Sequence, residues 1–165
     1  MAQIFIGVGS NRQREQHIRG GIQALRAVFT NLCISTVYEN RAVGFDSANF
    51  YNFVVGCETR LDAPAVVRQL QQIENDCGRD RNGASPASVT LDLDLLLYDD
   101  LITTQAGFRL PRADIDRHAF VLCPLAELAP DLRHPVSGKT FAALWAEFDT
   151  TAHTLWPVTC GLHGE

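Results

Sequence analysis

The chain opens on a two-residue alternation. In Gln3 to Val8 the apolar residues Ile4, Ile6 and Val8 fall on every second position, which puts them on one face of a strand, and Gly7, Gly9 and Ser10 then break it into a loop. From about Arg12 to Phe29 the period changes: Ile18, Ile22, Leu25 and Phe29 recur at helical spacing. Leu32 to Tyr38 reads as a β-branched second strand, Arg41 to Asn49, with Gly44 and Ser47, as a loop, and Phe50 to Thr59 as a third strand. The second helix carries the clearest signals. Asp62 caps it, Pro64 sits near its first turn, Val66, Leu70, Ile73 and Cys77 form its buried stripe, and Gly78 ends it. A polar loop from Arg79 to Ser88 leads into TLDLDLLLY, Thr90 to Tyr98, a fourth strand. Beyond it the pattern predicts a hairpin or loop to Leu110, a short helix around Leu125 to Leu128 and a last helix near Thr140 to Phe148.

The order β-α-β-β-α-β is the split βαβ motif, so the expected fold is an α+β, ferredoxin-like sandwich with extra C-terminal elements. Its helices cover one face of the sheet. The other face is left for the C-terminal segment and for loops that carry function. This fold hosts many activities, so chemistry has to be read from particular residues.

The fourth strand offers the first such residues. Successive strand side chains point to opposite faces, so Asp92 and Asp94 point one way while Leu91, Leu93, Leu95 and Leu97 point the other, into the core. The two carboxylates' Cα atoms stand about 6.6 Å apart, and like charges so close repel unless a cation or an arginine lies between them. Hard oxygen ligands suit Mg²⁺, which keeps waters and commonly binds substrate phosphates as well. The pattern fits a divalent-metal site and a solvated acidic face equally; the four leucines favour a central strand, where a solvated face is less expected.

Three weaker constellations accompany it. Arg79 and Arg81, one residue apart after the helix end, can grip phosphate oxygens together or be two surface arginines. Phe50 and Asn52 share a strand face and Phe120 lies on a distant apolar segment; two rings can sandwich a flat heterocycle with Asn52 reading its polar edge, or both can be core. GVGSN, Gly7 to Asn11, lacks both GxGxxG and a Walker lysine, which excludes the Rossmann and P-loop readings; its glycines let a ligand or another backbone come close. His118, His134 and His153 have no metal-ligand spacing, and His134 before Pro135 reads as structural.

Bulk numbers narrow the classes. A length of 165 residues fits one domain over 1–165. A formal net charge of −5 argues against a nucleic-acid partner. The five cysteines are odd in number and show no CxxC pair, which suits reduced thiols and a cytoplasmic location. The N-terminus has no basic segment ahead of its apolar run, so it is a strand rather than a signal peptide, and no run approaches a membrane span.

GVGSN, VYEN…G, FYN, IENDCGRDR, TLDLDLLLY and LPRADIDRHAFVLCPLAELAP, in this order and at these spacings, resemble the 6-hydroxymethyl-7,8-dihydropterin pyrophosphokinases of folate biosynthesis, over nearly the whole chain to about Phe148. The resemblance implies transfer of pyrophosphate from ATP to the pterin hydroxymethyl group, giving AMP, by a monomer with small-molecule partners. It implies Asp92 and Asp94 as ligands of two Mg²⁺ ions, with Phe50 and Phe120 stacking the pterin, Asn52 hydrogen-bonding it and backbone from Asn40 to Val43 lining the pocket. Gln71 and Glu74 match the nucleotide site, Arg79 and Arg81 phosphate contacts, and Arg112 and His118 positions on the ATP side. Such transfer relies on alignment and charge neutralisation more than on covalent help, which agrees with the residues read singly. The chain also departs from the family pattern. Ser85, Pro86 and Val89 stand where the family commonly has a basic residue, an aromatic and an arginine, Arg112 where it has histidine, Ala113 where it has tyrosine, and His118 and Gly107 where it has arginine. These departures define an alternative, a diverged member that binds pterin or nucleotide with weak or altered catalysis. A ferredoxin-like sensing or interaction module without chemistry rests on the fold alone.

Overall fold

The alternating N-terminal segment becomes the strand on which the sheet is built. In the computed structural model, which describes residues 1–41, 49–78, 90–105 and 107–159, β1 (Ala2–Ser10) pairs on one side with β4 (Phe50–Thr59) and on the other with β5 (Asp92–Tyr98), both antiparallel. β4 in turn carries β2 (Thr30–Ile34) and β3 (Val37–Asn40) along its far edge, and β3 is flanked by β8 (Leu155–Val158). The order β5-β1-β4-β3-β8 with every pair antiparallel, and with α1 (Arg14–Val28) and α2 (Ala63–Asp76) as the two crossovers, is the expected α+β, ferredoxin-like arrangement. A separate hairpin, β6 (Thr103–Gln105) and β7 (Phe108–Leu110), leads to α3 (Asp114–Arg117), α4 (Ala119–Leu128) and α5 (Phe141–Glu147). Among the described residues no helix is long and apolar enough to cross a membrane.

Each sheet face buries its own core. Ile4, Ile6 and Val8 meet Ile18, Ile22 and Leu25 of α1 and Val66, Leu70 and Ile73 of α2 on one face. Phe5, Val54, Leu96 and Leu97 meet Val121, Leu122 and Leu125 of α4 and Phe141 of α5 on the other. α2 starts as its sequence demands, with Asp62 Oδ1 accepting the Ala65 N–H at 2.9 Å and a proline in the first turn. Gly78, at φ 81°, follows its last turn.

Five expectations need correction. Gly7, Gly9 and Ser10 do not break the first strand into a loop: β1 runs on to Ser10, with Gly7 paired to Val54, Gly9 to Asn52 and Ser10 to Tyr51 of β4, because the two glycines leave room for the Leu96 and Asn52 side chains that press on the strand there. Leu32 to Tyr38 is not one strand. Ser35, fully buried, takes the Val54 N–H on its hydroxyl at 2.9 Å, so a side chain replaces the ladder there and β2 and β3 separate. Leu97 does not join Leu91, Leu93 and Leu95, because the pairing with β1 slips between Phe5 and Ile6, and this bulge turns Leu97 with Leu96 towards the α4 side. The helix around Leu125 to Leu128 begins at Ala119, since AFVLCPLAEL is apolar on nearly every side and shows no 3.6-residue stripe. LWPV forms the strand β8, unrecognised as four residues with a proline at the sheet edge.

Candidate functional site

Among the described residues β5 pairs with one strand, β1, and on its other side a side chain and a loop backbone group each bond it. Glu74 of α2, 4% exposed, accepts the Leu93 N–H on Oε2 at 2.7 Å. The carbonyl of Leu96, the residue skipped by the bulge, accepts the Arg112 N–H at 3.0 Å. These two bonds fix the strand on either side of Asp94 and bring Arg112 alongside it.

Asp92 and Asp94 lie half-buried on the face opposite Leu91, Leu93 and Leu95. Burial, then the neighbouring Asp92 charge, pushes the Asp94 carboxyl up to about 7; Arg112 opposes the rise, and Asp114 and Glu74 add to it. The guanidinium of Arg112 donates from Nε to Asp114 Oδ2 at 3.0 Å and holds Nη2 at 3.5 Å from Asp94 Oδ1. The sequence showed neither this pairing nor a role for Asp114. The signal available was an Asp two residues after an Arg, opening a short helix.

The polar wall closes one end of a cavity of ≈ 220 Å³. Its sides are Phe50 and Asn52 of β4, Asn40 of β3, and Phe120 at the start of α4; its floor includes Val54, Leu96 and Val121. Asn52 donates its amide to Asn40 Oδ1, and Asn40 donates to the Arg41 carbonyl at 2.9 Å, so both amides are oriented before any ligand enters. Gly9 faces Asn52 across the β1–β4 ladder, and a Cβ there would stand 2.7 Å from Asn52 Oδ1. The close approach anticipated for this glycine therefore comes from a side chain. Phe120 is backed by the His118 ring, stacked at 4.7 Å and 13°, and burial holds the His118 imidazole below its usual range. α4 is moored to the sheet by Glu127, which accepts from the Thr36 N–H at 2.8 Å and from the Tyr38 hydroxyl at 3.0 Å.

A second, more polar cavity of ≈ 360 Å³ lies beyond the same wall, lined by Gln71, Glu74 and Phe108. Asp92, Asp94 and Arg112 line both cavities. The structure thus gathers Asn40, Phe50, Asn52, Asp92, Asp94, Arg112, His118 and Phe120 around one space, and Gln71 and Glu74 behind it. Val43, Arg79 and Arg81, with Ser85 and Val89, lie outside the described residues. His134 is remote from the gathered set. Its Nδ1 accepts the Val136 N–H at 3.1 Å and shapes a turn, as expected of a structural histidine.

Among the described residues no group of three His, Cys, Asp or Glu side chains could hold a metal ion. The Asp pair suits instead a hard cation that takes its remaining oxygens from water and phosphate. Asp94, raised by burial and a like charge, is the kind of carboxylate such a cation would stabilise.

Residues 5–130 match the family model for 7,8-dihydro-6-hydroxymethylpterin-pyrophosphokinase. The chain belongs to this pyrophosphokinase family. It is 31% identical over 163 residues to the 2-amino-4-hydroxy-6-hydroxymethyldihydropteridine pyrophosphokinase of Aquifex aeolicus, covering 97% of this chain and 98% of that one. To the pyrophosphokinase of the same name from Bacillus subtilis it is 30% identical over 162 residues, covering 96% and 92%. The pyrophosphokinase of Synechocystis is 40% identical over 129 residues, 78% of this chain and 64% of its own length. The fold matches that of Plasmodium falciparum HPPK-DHPS with a TM-score of 0.67 at 11% identity, over 88% of this chain and 43% of that one. The family-model match ends just after α4, while the alignment with the Aquifex aeolicus protein extends over 97% of this chain.

Proposed function

We propose that this pyrophosphokinase-family chain transfers pyrophosphate from ATP to 6-hydroxymethyl-7,8-dihydropterin, releasing AMP, in folate biosynthesis. The observation that carries the reading is the shared wall. An aromatic cavity and a polar cavity meet at Asp92, Asp94 and Arg112, so two substrates can approach one charged point from opposite sides. In the reaction the hydroxymethyl oxygen bonds to the β-phosphorus, the bond from that phosphorus to the α,β-bridging oxygen breaks, AMP leaves with it, and the hydroxyl proton is released.

In this reading Phe50 and Phe120 clamp the pterin ring, Asn52 and Asn40 bond its polar edge, and backbone near Val43 completes the pocket. Fixing the ring aligns the hydroxymethyl group before reaction. Gln71 and Glu74 stand on the nucleotide side, where Glu74 also holds β5 in place. Arg79, Arg81 and Arg112 neutralise phosphate, and His118 is assigned to the same ATP side. Asp92 and Asp94 would hold two Mg²⁺ ions, which when bound would supply positive charge that neutralises phosphate. The protein works as a single-domain monomer in the cytoplasm, without a nucleic-acid or membrane partner.

The test is AMP formation, followed by chromatography, from ATP and the hydroxymethyl pterin at saturating Mg²⁺. No AMP above the enzyme-free control would sink the proposal. One observation favours a second reading, weakened catalysis. Val89 stands directly before Thr90 where the resemblance leads one to expect arginine. Val89→Arg then raises turnover; a normal enzyme rate in the unaltered protein removes this reading.

A further inference from the structure

The side chain of Arg112 is held unevenly. Its backbone N–H is tied to Leu96 at 3.0 Å and its Nε to Asp114 at 3.0 Å, both within ordinary hydrogen-bond range. The outer nitrogen Nη2 only leans on Asp94, at 3.5 Å. The arm is thus pinned at its base, and its tip makes a contact that another charge can replace. The tip is also reachable, since the side chain is 37% exposed and lines both cavities.

Charge explains why the tip rests there. Asp92, Asp94 and Asp114 crowd carboxylates around this point, and the Arg112 guanidinium lies between two of them, 3.0 Å from Asp114 Oδ2 and 3.5 Å from Asp94 Oδ1. A guanidinium and a divalent cation beside one carboxylate repel each other.

We propose that Arg112 is an exchangeable counter-cation for Asp94: in the free protein its guanidinium occupies the flank a divalent cation would take, and it moves to phosphate oxygens when nucleotide and metal arrive together. The proposal rests on the pyrophosphokinase reading and deepens it. Arg112 acts on metal loading by holding Asp94, as a positioning residue. The free protein then takes up a bare divalent cation poorly, because nothing offers Arg112 a new acceptor. Phosphate provides that acceptor, since the outer guanidinium nitrogens can donate to its oxygens while Nε stays on Asp114.

The experiment is a titration of the nucleotide-free protein with Mn²⁺ alone, reading free Mn²⁺ by electron paramagnetic resonance. Arg112→Gln is expected to bind Mn²⁺ at least about tenfold more tightly than the unaltered protein at low salt, with a smaller gain at high salt. Adding Asp94→Asn to that variant is expected to erase the gain. Arg112→Lys keeps the charge and is expected to stay within about threefold of the unaltered protein. Equal or weaker binding by Arg112→Gln, a gain that survives Asp94→Asn, or a Lys variant that behaves like Gln would each overturn the proposal. If Arg112→Gln loses its circular-dichroism fold, the unaltered protein still decides. The side-chain N–H resonances of Arg112 are expected to shift when Mg²⁺ and a non-hydrolysable ATP analogue are added together, and to move little with Mg²⁺ alone at equal concentration. The reverse pattern overturns the proposal. Failure of the pyrophosphokinase reading shows separately, as absence of AMP from the unaltered protein, a result that leaves the Mn²⁺ comparison intact.

Discussion

The two faces of β5 divide labour within a single strand. On one, Leu91, Leu93 and Leu95 are at most 5% exposed and pack with residues of α1 and α2. On the other, Asp92 and Asp94 come first, and only past the bulge do Leu96 and Leu97 meet the core under α4. The first face is uniform and its worth is burial. The second changes character along its length, because α4 and α5 cover one end and leave the other open to the cavity. Like charges can be held there at a cost that the opposite face offsets, so removing the charges and removing the leucines should have opposite consequences.

The strongest break of this contrast is Asp94→Ala. Loss of a carboxylate that holds the phosphate-neutralising cation lowers kcat by on the order of 10³-fold or more, while thermal unfolding shows no loss of stability. A variant that keeps its activity, or one that unfolds, contradicts the division. Leu91→Ala, at a position that lines neither cavity, is its mirror image. Truncating this fully packed side chain costs about 2–4 kcal/mol of stability in urea unfolding, and kcat per folded molecule stays near normal at low temperature.

The pH dependence of stability sharpens the comparison further. Burial first, then Asp92, raise Asp94 from 3.8 to about 7 in the folded chain. A carboxyl raised on folding binds more protons in the native state between those values. Its contribution is therefore full below about pH 4 and is lost as pH rises through about 7. Asp94→Asn, which does not titrate, should match the unaltered protein at pH 4 and be more stable by roughly 1–3 kcal/mol at pH 8 in metal-free buffer. Saturating Mg²⁺ with nucleotide should stabilise the unaltered protein by more than it stabilises the variant. A constant difference across the range would mean that the Asp94 charge is not what strains the native state.

The smallest effect concerns the cavity wall. Gly9→Ala pushes on Asn52 Oδ1 at 2.7 Å, the far end of a side chain that can rotate away. The expected result is a several-fold rise in KM for the pterin, roughly 1 kcal/mol of binding, with KM for ATP and the unfolding midpoint little changed. An equal rise in both KM values would place the disturbance in the shared wall rather than at Asn52.

Much of this was legible because it repeats locally. The two-residue alternation placed Asp92 and Asp94 on one face and Leu91, Leu93 and Leu95 on the other, and Asp62, Pro64 and Gly78 bounded α2 through signals within a turn of each end. What stayed hidden depends on contacts between distant residues. Leu97 changes sides because β1 and β5 slip register, which neither strand announces alone. Arg112 reaches Asp94 across 18 positions of sequence through a hydrogen bond to a bulged carbonyl (112 − 94 = 18). Ser35 breaks a strand by bonding a partner 19 residues away. The family resemblance gathered Phe50, Asn52 and Phe120 before the fold did, yet it could not show that Asn40 orients Asn52 or that His118 backs Phe120.

The position of β5 at the rim of the sheet bears on how the protein behaves at high concentration. DLDLLLY, leucine-rich and extended, with no strand neighbour on one side among the described residues, is the sort of segment on which a second molecule could add a strand. Glu74 occupies its free N–H at Leu93, Arg112 its carbonyl at Leu96, and two carboxylates repel any like copy. The groups that assemble the site thus also guard the rim against self-templating. Changing them to probe chemistry risks filaments or precipitate, and light scattering should accompany every activity measurement on such variants.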